Sequence, residues 1–177
     1  MSNRIADSLF HTGCNEELIR ALLEFHVRFV VIGGLAISWH CPSRSADDMD
    51  ILIEPTIENS GRVANALTRV GLNGFGPDSF ANHGKQARLD RYHYADLLTP
   101  SGNISFSDVD ADAVDAKLFN IPVRVASVVT LIRMKEAAIN ACQSEASKHS
   151  RDIELLNACS QEWPLQRNNL RSMKILG

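Results

Sequence analysis

The sequence predicts a globular domain of the α+β class, close to α/β, in which a small mixed β-sheet is flanked by helices. Strand-like and helical segments alternate along the 177 residues, which is typical of this class. A long segment rich in glycine and asparagine, residues 71–84, precedes the strand-like segment 88–98 and interrupts the alternation. That interruption favours a sheet with parallel and antiparallel strands over a purely parallel one.

The individual elements follow from apolar spacing, capping residues and turn residues. Asn15 is expected to cap the first helix, and Ser127 to cap a later one. Segment 28–32 is a short apolar run that ends at a glycine pair, which indicates a buried strand. Helices are predicted from Asn15, over 35–40, from Thr56 to Gly71, from Ser127 and over 148–158. Strands are predicted over 28–32, 49–53 and 123–125, and segment 88–98 is predicted to be a strand or one arm of a hairpin.

Charge and cysteine content exclude several classes of protein. The formal net charge is -3, so the chain has no overall basic footprint for nucleic acid. Cys14, Cys41, Cys142 and Cys159 form no C-x-x-C pair, which predicts reduced thiols and no zinc site. No apolar stretch could span a membrane, and the first residues lack the apolar run of a signal peptide. A cytoplasmic protein without a membrane partner is expected.

Two acidic residues at the head of the predicted strand 49–53 are the candidate metal ligands. Asp48 and Asp50 are two positions apart, so in a strand their side chains share a face, about 6.6 Å apart at the backbone. Asp47 is expected to point the other way. Paired carboxylates suit Mg²⁺, which prefers oxygen ligands. A pair of this kind also occurs as two solvated acids near a turn.

A glycine pair upstream adds a second signal. Gly33 and Gly34 follow a predicted buried strand and precede a predicted helix. Glycine permits close approach of the backbone to a ligand, and the first N–H groups of a helix favour phosphate. The G-x-G-x-x-G fingerprint of dinucleotide-binding proteins and the lysine of a P-loop are both absent from this segment.

The strand, glycine pair, short helix and D-x-D together resemble the nucleotidyltransferase superfamily, the polymerase-beta-like fold. The surrounding residues are similar to the small bacterial AbiEii-type abortive-infection (toxin) nucleotidyltransferases. Those read G-G-x-A and then R-x-T-x-D-x-D, and here Ala36 and Arg44 match the alanine and the arginine. Ala46 departs from the pattern, because the family has threonine there. The resemblance covers residues 29–156 and implies the nucleotidyltransferase fold with C-terminal helices.

The resemblance also implies a third carboxylate on a later strand. Asp96 is the first candidate, because Ala95 and Leu97 would face the core and turn Asp96 toward the opposite side. Asp90 has the same parity and is the alternative. The family role of this residue is to complete the metal site and to help deprotonate the attacking hydroxyl.

Further residues are implied to hold the nucleotide. Lys135 takes the position of a family lysine near the triphosphate, and Asp152 matches a family acid expected to be structural. Ser38 lies one helical turn after Gly34 and could contact phosphate or bond locally. The predicted nucleotide-binding residues are Gly33, Gly34, Ser38, Arg44 and Lys135, and the predicted metal and catalytic residues are Asp48, Asp50 and Asp96.

The implied reaction is transfer of a nucleoside monophosphate from an NTP to an acceptor hydroxyl, assisted by two Mg²⁺ ions. The acceptor stays open between RNA such as tRNA, protein, and a small molecule such as an aminoglycoside antibiotic. A nucleotidyltransferase domain of residues 1–160 is expected, followed by a basic tail, 161–177, that weakly favours RNA. Residues 108–115, rich in aspartate, form either an acidic cleft or a solvated loop.

Two non-enzymatic functions are alternatives to nucleotidyl transfer. The chain could be a noncatalytic partner in a toxin–antitoxin pair that keeps the fold, although intact Asp48 and Asp50 argue against this. It could also be a nucleotide-binding regulator without transfer chemistry. Because the chain is short, an antitoxin or a second copy in a homodimer could complete the cleft.

Overall fold

The computed structural model describes residues 14–89 and 93–172, with side chains described as far as residue 160. The helices are α1 (Asn15–Glu24), α2 (Gly33–His40), α3 (Ile57–Arg69), α4 (Phe106–Asp112), α5 (Val128–Ala141) and α6 (Ala146–Ser172). The strands are β1 (Phe29–Ile32), β2 (Met49–Ile53), β3 (Gln86–Leu89), β4 (Ala95–Leu98), β5 (Val114–Leu118) and β6 (Ile121–Val125).

The described strands form one six-stranded mixed sheet in the order β3-β4-β2-β1-β6-β5. Strand β1 pairs antiparallel with β2 and parallel with β6, and β2 pairs parallel with β4. Each edge strand, β3 or β5, is the antiparallel partner of its inner neighbour. The predicted class, a mixed sheet flanked by helices, is confirmed.

The central strands are buried because nearly all their residues are apolar. All four residues of β1 are buried, and in β2 the partly exposed Asp50 is the exception to a buried strand. A helix follows β1 without an intervening loop, since Gly33 adopts a positive φ of 64° and turns the chain. Strand β1, the turn and α2 therefore form one continuous unit beside β2.

Helices α3 and α5 begin where the sequence predicts, and a side-chain hydrogen bond caps the start of each. The Thr56 side chain accepts a hydrogen bond from the Asn59 N–H at the start of α3, and Ser127 accepts one from the Thr130 N–H at the start of α5. Gly71, with a positive φ of 81°, follows α3. The predicted cap at Asn15 is wrong: Cys14 holds the cap position, and Asn15 is the first, fully buried residue of α1.

Three predicted elements differ from the structure. Segment 88–98, predicted as one strand or hairpin arm, contains parts of both β3 and β4, which form an antiparallel hairpin. Residues 108–115, predicted as a loop or an acidic cleft, belong to α4 and the start of β5. Helix α6 begins before 148 and continues through Ser172, beyond its predicted end at 158. Among the described residues, no helix combines the length and apolar character needed to cross a membrane.

A buried asparagine ties α3 to the sheet. The Asn59 side-chain oxygen accepts from the Arg28 N–H (2.8 Å), and its amide nitrogen donates to the carbonyl oxygens of Arg28 (3.0 Å) and Glu54 (3.1 Å). These backbone groups flank the start of β1 and the end of β2, and Asn59 is almost fully buried. The asparagine therefore provides an acceptor for the Arg28 N–H and adds a second hydrogen bond to two carbonyl oxygens that also accept from the Glu54 and Thr56 N–H groups.

Replacing this asparagine is expected to destabilise the domain. Asn59→Ala removes the three hydrogen bonds and leaves the Arg28 N–H without its acceptor, so the free energy of unfolding should fall by about 3 kcal/mol. Urea unfolding followed by circular dichroism measures this change. Asn73→Ala, at an exposed position, is the matched control and should stay within about 0.5 kcal/mol of the unmodified protein. Equal stability of the two variants would contradict the prediction.

Candidate active site

A row of four residues crosses the sheet at the end where β1 turns into α2. In register, Arg88 of β3 is opposite Asp96 of β4, Asp96 is opposite Asp50 of β2, and Asp50 is opposite Ile32 of β1. Side chains opposite each other on neighbouring strands share a face of the sheet. Asp50 and Asp96 therefore lie side by side, although they come from distant parts of the sequence.

The burial of β4 agrees with the predicted orientation of Asp96. Ala95 and Leu97 are buried in the core, whereas Asp96 is partly exposed. Its carboxylate oxygen accepts a hydrogen bond from the Gln86 side chain on β3 (3.0 Å). The alternative third carboxylate, Asp90, lies outside the described residues.

The Asp50 carboxylate lies directly against the glycine turn. A β-carbon added at Gly33 would come within 1.8 Å of Asp50 Oδ2, so only glycine fits beneath this carboxylate. The Gly34 N–H donates a hydrogen bond to Asp50. At Gly34 an added β-carbon would meet its neighbours at 3.5 Å or more, which is ordinary contact. The two glycines therefore have different roles: Gly33 provides space, and Gly34 provides a donor.

Electrostatics at Asp50 favour a bound cation. The pKa of Asp50 is raised from its ordinary 3.8 to about 6, first by burial and then by the negative charges of Asp48 and Asp96. The positive charge of Lys135 and the Gly34 N–H act in the opposite direction and lower the pKa. The three predicted carboxylates and Lys135 are therefore close enough to influence one group.

The carboxylates of Asp48 and Asp96 lie near Asp50, but the three side chains do not converge on one point as metal ligands do. Asp48 precedes β2 and is partly exposed, Asp50 bonds to the Gly34 N–H, and Asp96 bonds to Gln86. Within residues 14–89 and 93–160, no three aspartate, glutamate, histidine or cysteine side chains are arranged to hold a metal ion. The chemistry of the donors nevertheless fits Mg²⁺, since all three are carboxylates and the negative charges of Asp48 and Asp96 act on Asp50.

A buried carboxylate on α6 joins two cations beside this row. Asp152 forms salt bridges with Lys135 Nζ of α5 (3.0 Å) and with Arg44 Nε of the loop before β2 (3.1 Å). The side chain of Asp152 is 5% exposed and that of Lys135 is 13% exposed. Burial raises the pKa of Asp152, but the contacts with Lys135 and Arg44 outweigh it, and the pKa is lowered. Asp152 stays ionised and holds both cations in place.

This bridging role refines the structural role predicted for Asp152. The sequence pattern identified the acid, but nothing in it indicated that Arg44 and Lys135 share one carboxylate. Arg44 also reaches the glycine turn, because its guanidinium is 3.8 Å from the position of a β-carbon added at Gly34. The helix start, Arg44 and Lys135 therefore converge on one region beside Asp50.

Ser38 is placed differently from the other predicted nucleotide-binding residues. It is 1% exposed, and its hydroxyl donates to the Gly34 carbonyl oxygen (3.0 Å) within α2. The local bond that the sequence left as one alternative is present. A contact between Ser38 and phosphate stays a prediction, and this geometry does not favour it.

A pocket of about 890 Å³ opens next to Arg44 and Asp152. One wall is the loop before β2, and the other is a face of α6 on which residues recur at helical spacing. Three basic residues face two acidic ones, of which Asp152 is already paired. The pocket is lined by Ser43, Arg44, Ser147, Lys148, Arg151, Asp152, Glu154 and Leu155.

Comparisons with known proteins identify the fold. Searches of protein families and of curated proteins find no match. Among solved structures, ANT(2″)-Ia in complex with adenylyl-2″-tobramycin is 16% identical, with a TM-score of 0.53 over 90% of this chain and 95% of that one. The antibiotic-resistance factor ANT(2″)-Ia in solution is 16% identical, with a TM-score of 0.54 over 90% of each chain.

A third solved structure extends the likeness to another source. An antigenic nucleotidyltransferase-like protein from Paracoccidioides brasiliensis is 14% identical, with a TM-score of 0.50 over 91% of this chain and 93% of that one. At these identities the likeness concerns the fold. The predicted nucleotidyltransferase fold is thereby confirmed, and the closer similarity to AbiEii-type proteins stays a prediction.

The glycine turn provides a test of how Asp50 is held. Gly33→Ala should displace the Asp50 carboxylate and strain the backbone at positive φ, which lowers the free energy of unfolding by about 1–3 kcal/mol. Thermal unfolding measures the loss. Gly34→Ala is the matched control, since its β-carbon meets only ordinary contacts, and it should cost less than Gly33→Ala. The opposite ranking would show that Asp50 does not depend on the space at Gly33.

The raised pKa of Asp50 predicts a pH-dependent stability in the absence of metal. The folded state binds the proton more tightly than the unfolded state, so ionised Asp50 destabilises the fold above about pH 6. Asp50→Asn should therefore raise the free energy of unfolding by about 2 kcal/mol near pH 7.5. This gain should shrink as the pH falls through about 6 and reach zero only well below 3.8, where the carboxyl is neutral in both states.

Urea unfolding in a chelating buffer, repeated across this pH range, measures the effect. Asp47→Asn is the matched control, because Asp47 is an exposed neighbouring acid. Its stability should follow that of the unmodified protein at every pH. If Asp50→Asn instead gains the same stability at every pH, the gain does not come from the ionisation of Asp50 and the prediction is wrong.

Proposed function

We propose that this chain is a nucleotidyltransferase that transfers a nucleoside monophosphate from an NTP to an acceptor hydroxyl and releases pyrophosphate. One observation carries the proposal: the partly exposed carboxylate of Asp50 lies close to two further carboxylates and accepts from the Gly34 N–H at the start of a helix. Carboxylates for a cation next to a phosphate-binding helix start are what this transfer needs.

The carboxylates proposed to hold Mg²⁺ are those of Asp48, Asp50 and Asp96. The like charges that raise the pKa of Asp50 support this assignment, since a divalent cation would neutralise them. Two bound Mg²⁺ ions would lower the pKa of the acceptor hydroxyl and neutralise charge on the leaving pyrophosphate. Asp50 and Asp96 would then exchange their present bonds to Gly34 and Gln86 for the metal.

The residues flanking Asp50 have separate tasks in the proposed reaction. Asp96 would accept the proton of the attacking hydroxyl at a carboxylate oxygen. The oxygen of that hydroxyl forms a bond to the α-phosphorus of the NTP, and the bond from this phosphorus to the pyrophosphate breaks. Gly33 would let the phosphates approach the backbone, and the Gly34 N–H would donate to them.

Lys135 and Arg44 would bind the β- and γ-phosphates on the other side of Asp50. Their shared salt bridges with Asp152 fix both cations before the nucleotide arrives, which reduces the entropy lost on binding. The adjoining pocket adds Lys148 and Arg151, which suits the terminal phosphates or the departing pyrophosphate. We assign this side of the site to the leaving group.

The acceptor is proposed within the classes that the sequence left open. The structure of ANT(2″)-Ia with adenylyl-2″-tobramycin favours a small-molecule acceptor by analogy of fold. RNA or protein acceptors, a role in a toxin–antitoxin pair, and an antitoxin or homodimer partner are proposals that rest on the sequence resemblance. An intracellular site of action also remains a proposal.

A second candidate function is a nucleotide-binding regulator without transfer chemistry. The observation in its favour is that the carboxylates of the described residues do not form a three-ligand metal cluster. Mg²⁺-dependent binding of NTP without release of pyrophosphate would support it over the transferase.

The first experiment measures transfer directly. The protein is incubated with Mg²⁺ and each α-labelled NTP, together with total RNA, total protein or an aminoglycoside panel. The unmodified chain should label one acceptor pool. Asp50→Asn should lower the labelling rate by at least about 100-fold, since it removes a metal ligand.

Asp47→Asn is the matched control and should keep the full rate, because this exposed acid precedes the proposed ligands. Equal residual labelling by Asp47→Asn and Asp50→Asn would contradict the assignment of the metal site. No labelling of any pool by the unmodified chain, together with Mg²⁺-dependent NTP binding, would support the regulator instead.

A further inference from the structure

Strand β5 forms one edge of the sheet, and no described strand pairs with its outer side. The strand order ends at β5, whose only neighbour among the described strands is β6. The register between the two strands is unbroken from Val114 to Leu118, and β5 contains no bulge and no proline. Natural edge strands often carry such features, because a regular open edge can pair with another chain. The outer side of β5 is therefore able to accept a further strand.

The pairing with β6 shows which backbone groups of β5 face outward. Hydrogen-bonded and non-hydrogen-bonded pairs alternate along an antiparallel ladder. Lys117 is opposite Pro122, which has no N–H, so this is a non-hydrogen-bonded pair. By alternation, Asp115 and Arg124 form the next pair of this kind. The N–H and C=O groups of Asp115 and Lys117 therefore point away from β6, toward the open edge.

The same two residues carry opposite charges on one face of the strand. Asp115 and Lys117 are exposed, whereas Ala116 between them is buried on the core face. An oxygen of Asp115 lies 3.6 Å from Arg124 Nε, but the Asp115 side chain is 94% exposed. A second chain at this edge would therefore meet one negative and one positive side chain, two residues apart.

These charges suit a second copy of the same strand in one antiparallel register. Hydrogen bonding across the edge places outward-facing residues opposite each other, so Asp115 and Lys117 meet either their own kind or one another. Like charges directly opposite each other destabilise a strand pair, and opposite charges stabilise it. In the favourable register Asp115 of each copy is opposite Lys117 of the other, and Ala116 lies on the two-fold axis. Val114 is then opposite Leu118 on the apolar face, so both faces of the strand match.

We propose that two copies of this chain associate through β5, as an antiparallel strand pair centred on Ala116 that makes their two sheets continuous. The interface is isologous, since each copy contributes the same Asp115 and Lys117 to two equivalent charge pairs. Strands β1 and β6 lie between β5 and β2, the strand that carries Asp50. The proposed active site of each copy therefore lies outside the interface, and the association is a property beyond the proposed transfer.

The test measures self-association of the full chain without nucleotide, by sedimentation velocity over a wide range of protein concentration. The unmodified chain should form a dimer whose fraction rises with concentration, because a single strand pair is a small interface. Asp115→Lys places lysine opposite lysine, and Lys117→Asp places aspartate opposite aspartate. Each variant should raise the Kd of the dimer by about 10-fold or more, since both symmetric pairs become repulsive.

An equimolar mixture of the two variants tests the register. One copy then carries two lysines at the outward-facing positions of β5 and the other carries two aspartates, so both pairs again join opposite charges. The mixture should form a mixed dimer with an affinity close to that of the unmodified chain. Glu136→Lys, a charge reversal at an exposed position of α5, is the matched control and should leave the Kd unchanged. Thermal unfolding of each variant checks that it is folded.

Loss of the dimer in each single variant and its return in the mixture support the interface. A monomer at every concentration of the unmodified chain overturns the inference, whether the edge stays open, is covered by another segment of this chain or binds a different protein. A dimer that persists in both single variants also overturns it, by placing the contact elsewhere. None of these measurements requires nucleotidyl transfer, so the inference and the proposed function can fail separately.

Discussion

The contact between the Asp50 carboxylate and the glycine turn is the constraint on which the site depends. Because an added β-carbon at Gly33 would overlap Asp50 Oδ2, the carboxylate and the start of α2 occupy neighbouring space only with glycine present. Burial and the nearby acids make this carboxylate costly to ionise without a cation. The fold thus accepts a local destabilisation where the proposed chemistry takes place.

Residues governed by local rules were predicted well from the sequence. Strand β2 was predicted with its observed bounds, the cap at Ser127 forms as expected, and the helix predicted from Thr56 begins directly after that residue. Strand alternation was enough to place Asp96 on the face away from the core. In each case the signal is a spacing or a side-chain bond within a few residues of sequence.

Features that depend on tertiary contacts could not be predicted in this way. The salt bridges of Asp152 join α6 to α5 and to the loop before β2. These segments are far apart in the sequence, so the spacing of residues along the chain does not predict the contact. Helix α4 is short and rich in aspartate, a composition that is more typical of a loop. In the structure the helix is stabilised by burial of Phe106 and Val109, which the local sequence does not predict. Ser38 is buried with its helix, so its hydroxyl bonds locally to the Gly34 carbonyl oxygen; the sequence alone left this bond and a phosphate contact as alternatives.

The parallel pairing of β2 with β4 has a consequence for how the protein folds. Asp50 and Asp96 become neighbours only after the chain has passed through α3, a long irregular segment and β3. Such a non-local contact requires closure of a long loop, which costs entropy before the contact repays it. A nascent or partly folded chain that ends before β4 therefore lacks the paired carboxylates, and the acidic site matures only with the complete sheet.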